Sequence, residues 1–453
     1  MRRLLVLCLL VVSLPLFADA DKLEFTLHKK ESANPGKTIL VIGGIQGDEP
    51  GGFNAASLLV THYQVNKGNI WVVPNLNFQS IIHRSRGMNG DMNRKFAEVP
   101  KSDPDYDAVQ RIKQLIKSEQ VDYVFNLHDG SGFYRETHID KMHSPMRWGQ
   151  SIIIDQEELD DHDLGNMSEV ANNIVARVNK RLFDAEHVYQ VKNTRTREGD
   201  HEMEKTLTYF AINQGKPAIG IEASKSLPTH QRAYYHLQVL EAYMDWLGLE
   251  YQRDMDLQAV AVKDAIDNNV KVSFYQNRIF MDMKNVRKTL RYVPLREGSH
   301  VEFSASSPLV AITSRKNGYR INYGNRRVTD LHPQYFDYGD SLSSITMLVD
   351  GKEQQVAPGS IVDVEQAFRI ETLDGYRVNV IGWSKKKLKN ESGHDIYRKE
   401  IVKRYSIDKQ GTIFRVELYK DKKFSGMVLV RFPQGSKTAK YQKDDEPSVQ
   451  QPG

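Results

Sequence analysis

The chain has 453 residues and a formal net charge of +4, and its Lys and Arg residues are scattered along the sequence. A basic stripe of the kind that binds nucleic acid is therefore excluded, and we expect no nucleic-acid partner. The length predicts about three domains. Because Cys8 is the single cysteine, no disulfide framework is possible, and packing must stabilise these domains.

The N-terminal end of the chain, residues 1–20, predicts a signal peptide. Arg2 and Arg3 precede an apolar run from Leu4 to Phe17, and residues 18–20, Ala-Asp-Ala, have the form of a cleavage site. The run is shorter than the roughly 20 apolar residues that a membrane-spanning helix needs. We expect export to the periplasm, a mature chain that begins at Asp21, and no stable membrane span after cleavage.

Residues 21–250 alternate short apolar runs with amphipathic stretches, which is typical of an α/β domain. The runs that predict strands are 38–42, 69–73, 121–127, 150–154 and 217–221. The stretches that predict helices are 105–119, 167–183 and 231–247. Gly248 follows the last of these helices, so the domain is expected to end near residue 250.

The remainder of the chain is rich in period-two alternation. In residues 251–342 the runs 270–274, 300–303 and 319–323 predict half-buried antiparallel strands, and a helix near 254–267 is expected to pack on this second unit. In residues 343–440 the runs 376–380 and 414–418 predict a small, Ig-like β-sandwich. Residues 441–453 are polar and contain prolines, so we expect them to be disordered.

Three candidate metal ligands follow predicted strands. Gln46 and Glu49 lie three residues apart in the loop after strand 38–42, and His128 follows the apolar run 124–127. The carboxyl ends of parallel strands meet at one edge of a sheet, where α/β proteins bind their ligands. Two ligands close in sequence and a distant His are a common arrangement in zinc hydrolases. Taken alone, a His after a strand is more often a hydrogen-bonding loop residue.

Three further candidates lie in one loop, and a fourth follows a strand. Arg86, Asn93 and Arg94 belong to a glycine-containing loop, whereas Glu222 follows the run 218–221. A guanidinium binds a carboxylate in bidentate fashion or polarises a carbonyl, and an acid beside a metal can activate water and protonate a leaving nitrogen. Surface ion pairs for the arginines and a solvated carboxylate for Glu222 are the ordinary alternatives.

The order of these motifs resembles the zinc carboxypeptidase superfamily across residues 38–248. The resemblance is closer to the exported peptidoglycan DL-carboxypeptidases that set helical cell shape, which trim muramyl tripeptides. The motifs that carry it are Gln46-Gly47-Asp48-Glu49, Arg86, Asn93-Arg94, His128-Asp129 and Ile221-Glu222. It implies an α/β zinc carboxypeptidase domain, with a mixed sheet flanked by helices, followed by two smaller β-rich domains.

The resemblance also implies a metal site and the partners. One Zn²⁺ per chain would be held by Gln46, Glu49 and His128. The substrates would be peptidoglycan muramyl peptides that lose a terminal diaminopimelate, and the β-rich domains could bind cell-shape proteins.

The roles that the resemblance implies for the other residues agree with their chemistry. Arg86 would polarise the scissile carbonyl, and Asn93 and Arg94 would recognise the terminal carboxylate. Glu222 would be the general acid and base.

Gln46 departs from the superfamily, whose first ligand is His. An amide oxygen can reach a metal, but Zn²⁺ prefers imidazole, thiolate and carboxylate donors, so we expect weaker zinc binding that is not abolished. The amide donates less charge than imidazole, and the metal would therefore remain a strong Lewis acid.

Two alternative functions stay open at this point. The seven-residue step from Arg86 to Asn93 also suits an N-acyl amino acid deacylase of aspartoacylase type. Gln46 also suits a pseudoenzyme that binds peptidoglycan and recruits partners. Residues 135–138 and 204–209 are candidate pocket walls, whereas simple packing is the favoured interpretation of Trp148.

Overall fold

The fold is described from a computed structural model. The structure describes residues 23–160, 162–268, 270–297, 301–340 and 342–433, together with the backbone of Ala18–Asp19. The remainder of the predicted signal peptide and the predicted disordered tail lie outside the described residues.

The first part of the chain alternates strands and helices, as the sequence predicts. Its strands are β1 (Ala18–Asp19), β2 (His28–Glu31), β3 (Thr38–Gly43), β4 (Tyr63–Lys67), β5 (Asn69–Val73), β6 (Tyr123–Gly130), β7 (Phe133–Tyr134), β8 (His143–Ser144), β9 (Ser151–Ile154), β10 (Gln190–Asn193), β11 (Ala218–Ser224) and β12 (Glu250–Arg253). Its α-helices are α1 (Pro50–His62), α2 (Phe78–His83), α3 (Tyr106–Ile116), α4 (Met167–Val178), α5 (Leu207–Asn213) and α6 (Thr229–Trp246).

Seven of these strands form one mixed sheet in the order β10-β9-β11-β6-β3-β5-β2. The central strands β5, β3, β6 and β11 are parallel, whereas β2 pairs antiparallel with β5 and β9 pairs antiparallel with β11. Helices α1 and α6 pack on each other and on the central strands, and α5 contacts β6 and β11. Every residue of β6 is buried, which agrees with its continuous apolar run.

Two strands extend further than their apolar runs. We predicted that His128 and Glu222 follow strands, but both lie within them, because β6 continues to Gly130 and β11 to Ser224. The parallel backbone pairing of the two strands persists beyond their apolar residues and places Glu222 opposite His128. These two candidate side chains therefore project from regular sheet.

The second part of the chain is mostly β-structure. Its elements are α7 (Ala259–Asn268), β13 (Lys271–Phe274), β14 (Ile279–Asp282), β15 (Thr289–Arg296), β16 (Glu302–Ala305), β17 (Val310–Arg315), β18 (Gly318–Tyr323) and β19 (Arg326–Phe336). They form two four-stranded sheets, β1-β16-β13-β14 and β15-β19-β18-β17. The predicted antiparallel pairing holds for β17, β18 and β19, but β15 joins β19 in parallel.

Helix α7 lies between the first two parts of the chain. We predicted that it packs on the second unit, but it packs mainly against α6 and also touches α1. Its buried side chains, Val262, Ala265 and Ile266, join the core of the α/β unit. A hydrogen bond of 2.9 Å from Arg326 of β19 to the Ile266 carbonyl connects it to the second unit.

The third part of the chain is a pair of facing sheets. Its strands are β20 (Ile345–Val349), β21 (Lys352–Val356), β22 (Ile361–Asp363), β23 (Ala367–Ile370), β24 (Tyr376–Val380), β25 (Ile396–Tyr397), β26 (Ile413–Lys420) and β27 (Lys423–Arg431). They form the sheets β21-β20-β23-β25 and β22-β27-β26-β24, which enclose a core containing Phe368, Trp383 and Phe414. An α/β domain followed by β-rich domains, as predicted, is thus confirmed. The boundaries near residues 250 and 342 stay predictions.

Among the described residues, no helix is both long enough and apolar enough to cross a lipid bilayer.

Gly47, in the loop between β3 and α1, is packed against α2. A Cβ atom on Gly47 would lie 2.1 Å from the carbonyl carbon and oxygen of Ser80. The Gly47 N–H also donates to the Ser85 carbonyl at 2.9 Å. The close approach of two backbones, rather than an unusual dihedral angle, requires glycine here.

We predict that Gly47→Ala lowers the free energy of unfolding by about 1–3 kcal/mol, because backbone atoms must move to admit the methyl group. Chemical denaturation followed by circular dichroism measures this. Gly339→Ala is the control, because its Cβ would meet only side-chain atoms, Lys423 Cβ at 3.3 Å and Ser425 Oγ at 3.4 Å. Equal losses in the two variants would contradict the explanation.

Candidate active site

A cleft lies where the carboxyl ends of β3, β6 and β11 meet. Its volume is about 240 Å³, and it is lined by every one of the candidate residues that the sequence singles out: Gln46, Glu49, Arg86, Asn93, Arg94, His128 and Glu222. The parallel central strands bring these positions together, although they are up to 176 residues apart in the sequence (222 − 46). The topology of the sheet therefore assembles one site from four chain segments.

Three potential metal donors converge inside the cleft. Gln46 Oε1 lies 3.2 Å and Glu49 Oε2 lies 2.9 Å from Nδ1 of His128, and all three side chains are buried. An amide oxygen, a carboxylate and an imidazole around one point form a donor set that fits a divalent metal. In the described parts of the chain, no three His, Cys, Asp or Glu side chains form a cluster suited to a metal. The candidate set in this cleft has only two such residues, Glu49 and His128, and its third donor is the amide of Gln46.

Asp91 orients the Gln46 amide. Gln46 Nε2 donates to Asp91 Oδ1 at 2.8 Å. A carboxylate only accepts hydrogen bonds, so the amide nitrogen must face Asp91 and the amide oxygen must face His128. Asp91 thus lies where it could orient a candidate metal ligand through a hydrogen bond.

Glu49 favours the protonated form of His128. Burial alone would lower the pKa of His128, but the hydrogen bond and the charge of Glu49 outweigh burial and raise the pKa. With Nδ1 protonated, the ring donates to Glu49 at 2.9 Å. A metal at Nδ1 would replace this proton, so metal and proton compete for the same atom.

Two cations flank Glu49. Arg86 Nη1 lies 3.6 Å and Lys225 Nζ lies 3.2 Å from Glu49 Oε1. Arg86 also pairs with Asp91 at 2.9 Å, and its side chain is half-exposed at the cleft. Lys225 could not be singled out from the sequence, in which it is simply a basic residue just after the strand that carries Glu222.

Asn93 and Arg94 belong to a 3-10 turn, Met92–Arg94. The turn is capped by Asp91 Oδ1, which accepts the Asn93 N–H at 3.0 Å, and Asn93 Oδ1 accepts the Leu207 N–H at 3.0 Å. Arg94 Nε lies 3.5 Å from Glu202, an exposed acid. The Arg94 guanidinium is therefore held loosely at the rim and can exchange partners.

Glu222 carries a buried carboxyl oxygen, Oε2, that has no hydrogen-bond partner among the described residues. Burial raises the pKa of Glu222 to about 8; the charge of His128 opposes this shift, and the charge of Glu49 adds to it. A carboxyl group that lines a cleft and exchanges its proton near neutral pH has the properties of a general acid and base.

Asp129 connects the elements beneath the site. Its carboxylate accepts from the Gly51 N–H and from Arg232, each at 2.7 Å, and lies 3.2 Å from His236 Nε2. Burial alone would raise the pKa of Asp129, but His236 and Arg232 hold it below its usual value. This buried acid joins β6 to α1 and α6.

Of the two stretches predicted to form pocket walls, 204–209 contributes to the cleft and 135–138 does not. Thr206 and Thr208 line the cleft, whereas residues 135–138 do not, and Arg135 donates instead to backbone carbonyls of residues 134, 186 and 188. Trp148, for which packing was the favoured interpretation, also lines the cleft. Lys192 Nζ lies 3.9 Å from the Trp148 ring centroid, and burial lowers its pKa to about 8.

Comparisons with known proteins give two family matches. The catalytic part of the carboxypeptidases that control helical cell shape matches residues 1–267. A C-terminal domain of metallo-carboxypeptidases matches residues 338–433. The comparison with curated proteins gave no match.

Solved structures of the cell shape determinant protein Csd4 from Helicobacter pylori are similar over most of the chain. Its apo and tripeptide-bound forms are each 40% identical with a TM-score of 0.83, and each match covers 90% of this chain and all of Csd4. The form with bound mDAP, described as a D,L-carboxypeptidase, is 41% identical with the same TM-score and coverage.

We predict that Asp91→Ala weakens binding of Zn²⁺, used as a probe, by about 10–100-fold, because the Gln46 amide loses the partner that orients it. Competition titration against a chromophoric chelator measures the affinity, and circular dichroism checks the fold. The control is Asp103→Ala, since Asp103 pairs with Lys95 at 2.8 Å and does not contact Gln46. An unchanged affinity in Asp91→Ala would refute the orienting role.

Proposed function

The chain belongs to the family of carboxypeptidases that control helical cell shape and is a metallocarboxypeptidase, and we propose that it trims peptidoglycan muramyl tripeptides to dipeptides by releasing the terminal diaminopimelate. The observation that carries this proposal is that one cleft unites three potential metal donors, the carboxyl group of Glu222 and two arginines. The tripeptide and mDAP bound by Csd4 support the same substrate class.

The proposed metal is one Zn²⁺ per chain, held by Gln46, Glu49 and His128. When bound, zinc supplies Lewis acidity toward the scissile carbonyl and toward water. The converging donor atoms and the amide orientation set by Asp91 support this assignment. Glu222 lines the same cleft, and its buried Oε2 has no hydrogen-bond partner within the described residues.

Glu222 moves the protons of the proposed hydrolysis. As a carboxylate it accepts a proton from the attacking water while a C–O bond forms at the terminal amide carbon. It then gives that proton to the amide nitrogen as the C–N bond breaks, which yields an amine and a carboxylic acid; the acid passes its remaining proton to the amine, so that a carboxylate and an ammonium result. Arg86 donates to the carbonyl oxygen, on which negative charge develops during the attack.

Asn93 and Arg94 are proposed to bind the terminal carboxylate. A guanidinium suits a carboxylate in bidentate geometry, and the charge-assisted bonds are stronger than the exposed contact of Arg94 with Glu202. The substrate carboxylate would therefore displace Glu202. Because Asn93, Arg94 and Glu222 line the same cleft, binding of the carboxylate here would make the reaction specific for chain ends.

Two further proposals concern where the enzyme acts and which proteins it contacts. We propose a periplasmic enzyme, exported by its signal peptide, because its proposed substrate is the cell wall. The β-rich domains are proposed to contact cell-shape proteins.

We predict that Glu222→Gln lowers kcat/KM for muramyl tripeptide by about 10²–10⁴-fold, because an amide of the same shape cannot transfer the proton. Mass spectrometry of released diaminopimelate measures turnover, and the melting temperature should not fall, since a neutral amide is easier to bury than a charge. Glu198→Gln, at an exposed acid, is the control. Retained cleavage would refute the role, and release of acetate from N-acyl aspartate instead would favour the deacylase.

We predict that Gln46→His tightens Zn²⁺ binding by about tenfold or more, because imidazole is a better zinc donor than an amide oxygen. Asp91 already lies where it can accept the second ring N–H and orient the new ligand. Competition titration of the parent, Gln46→His and Gln46→Ala should rank them in the order His, Gln, Ala. Absence of zinc binding in the parent and in Gln46→His would favour a peptidoglycan-binding pseudoenzyme.

A further inference from the structure

A second cavity lies between the two β-rich parts of the chain, and nothing in the proposed reaction uses it. We name it the arginine cleft after the four arginines that line it: Arg287, Arg291, Arg404 and Arg415. It encloses about 760 Å³, which is larger than the active-site cleft and within the range of ligand pockets. No Asp or Glu is among the described residues that line it.

The positive charge of the arginine cleft is largely unbalanced. Arg287 donates to the carbonyls of Ser406 at 2.8 Å and Lys403 at 3.1 Å, which are neutral partners. Arg404 donates to the Tyr405 hydroxyl at 3.1 Å. Within the described chain, no carboxylate lies within 4.0 Å of Arg287, Arg291 or Arg404. The cleft is therefore suited to an anion.

Arg415 lies at the base of this cleft and is buried, with 5% of its surface exposed. Its two terminal nitrogens donate to the carbonyls of Arg291 and Tyr292, each at 3.0 Å, and Nη1 lies 3.4 Å from Glu417. Its Nε has no hydrogen-bond acceptor among the described residues. Buried donors are rarely left without an acceptor, so an acceptor atom on a ligand would stabilise this N–H.

The backbone beside Arg415 is distorted. The pairing of β15 with β19 shifts register between Arg291 and Val293, and the intervening Tyr292 adopts a φ of 54°. This left-handed conformation is unfavourable for a bulky residue, and Arg415 stabilises it by donating hydrogen bonds to the carbonyls of Arg291 and Tyr292 in the bulge. Such strained residues are concentrated at ligand-binding sites.

Aromatic rings and amides complete the lining. Tyr292 and Tyr405 are 63% and 40% exposed, so their rings are available to a ligand. Gln334 and Asn379 add side-chain amides. Guanidinium groups bind carboxylates, aromatic rings pack against the flat faces of sugar rings, and amides bond to hydroxyl and acetamido groups. Together they suit a sugar that carries an acidic peptide better than they suit a simple anion.

We propose that the arginine cleft is a second binding site for peptidoglycan, which takes a sugar-peptide unit by its carboxylates and holds the polymer while the active site cleaves a stem peptide. The inference rests on the proposed function for the identity of its ligand. In this proposal the β-rich domains retain the insoluble substrate, and the α/β domain cleaves it.

The test compares the full-length chain with Arg291→Glu/Arg404→Glu, both in a Glu222→Gln background, for co-sedimentation with purified peptidoglycan sacculi. We expect the charge reversal to weaken binding at least tenfold. In the active background, it should reduce product release from sacculi but leave kcat/KM for soluble muramyl tripeptide within twofold. The matched control, Arg315→Glu/Lys316→Glu, reverses two exposed charges on β17 and its turn and should change neither quantity.

A second variant tests whether weaker binding could result from misfolding. Tyr292→Gly removes the ring and relieves the positive φ, so it should fold at least as well as the parent and still bind sacculi more weakly. Binding equal to the parent in both cleft variants would overturn the proposal. Cleft-dependent binding of poly-glutamate or of anionic lipid vesicles, without binding of sacculi, would overturn it in favour of an acidic protein or a membrane. Failure of the parent to cleave soluble tripeptide would refute the proposed function alone, since sedimentation still reports on the cleft.

Discussion

The parallel pairing of β6 with β3 and β11 is the constraint on which the site depends. It aligns Glu222 with His128 and delivers the Gln46 loop to the same sheet edge. The register is specified by apolar side chains that are buried on both faces, and a slip of one residue would turn His128 to the opposite face. The apolar side chains of the sheet therefore determine where the polar groups of the site lie, although those polar groups bury little apolar surface themselves.

Charge balance explains how so many acids occupy one buried edge. Asp129 is neutralised by Arg232 and hydrogen-bonded to His236, and Glu49 is flanked by Arg86 and Lys225. Glu222 is the exception, because no cation pairs with it at short range among the described residues. Burial raises its pKa, and the charges of His128 and Lys225 oppose this rise only in part. Removing one partner from such a network leaves a buried charge uncompensated, which destabilises proteins by about 3–5 kcal/mol. The cations of this edge are thus unequally distributed among its carboxyl groups, with Glu49 and Asp129 paired and Glu222 left without an ion pair within the described residues.

Much of the fold and the site could be predicted because the relevant signals are local. The apolar runs identify the central strands, and residues that follow them identify the ligand edge. Lys225, Asp91 and Trp148 were missed or misjudged because their roles depend on contacts between distant segments, and nothing in their neighbouring residues distinguishes them from surface positions. The same limit explains why the packing of α7 was predicted wrongly. Its apolar face could be predicted from its periodicity, but its partner, α6, could not.

The two clefts differ in a way that suits an enzyme acting on an insoluble polymer. In the candidate active site the cations are largely paired with acids of the chain: Arg86 and Lys225 with Glu49, and Arg94 more weakly with the exposed Glu202. In the arginine cleft, three cations lack a described acidic partner. When two weak sites in one chain bind one polymer, the second contact forms at a high effective concentration, and the combined affinity exceeds either alone by about 10²–10⁴-fold if the geometry allows both. A catalytic site that binds weakly releases its product readily, and a separate site that retains the polymer keeps the next stem peptide within reach.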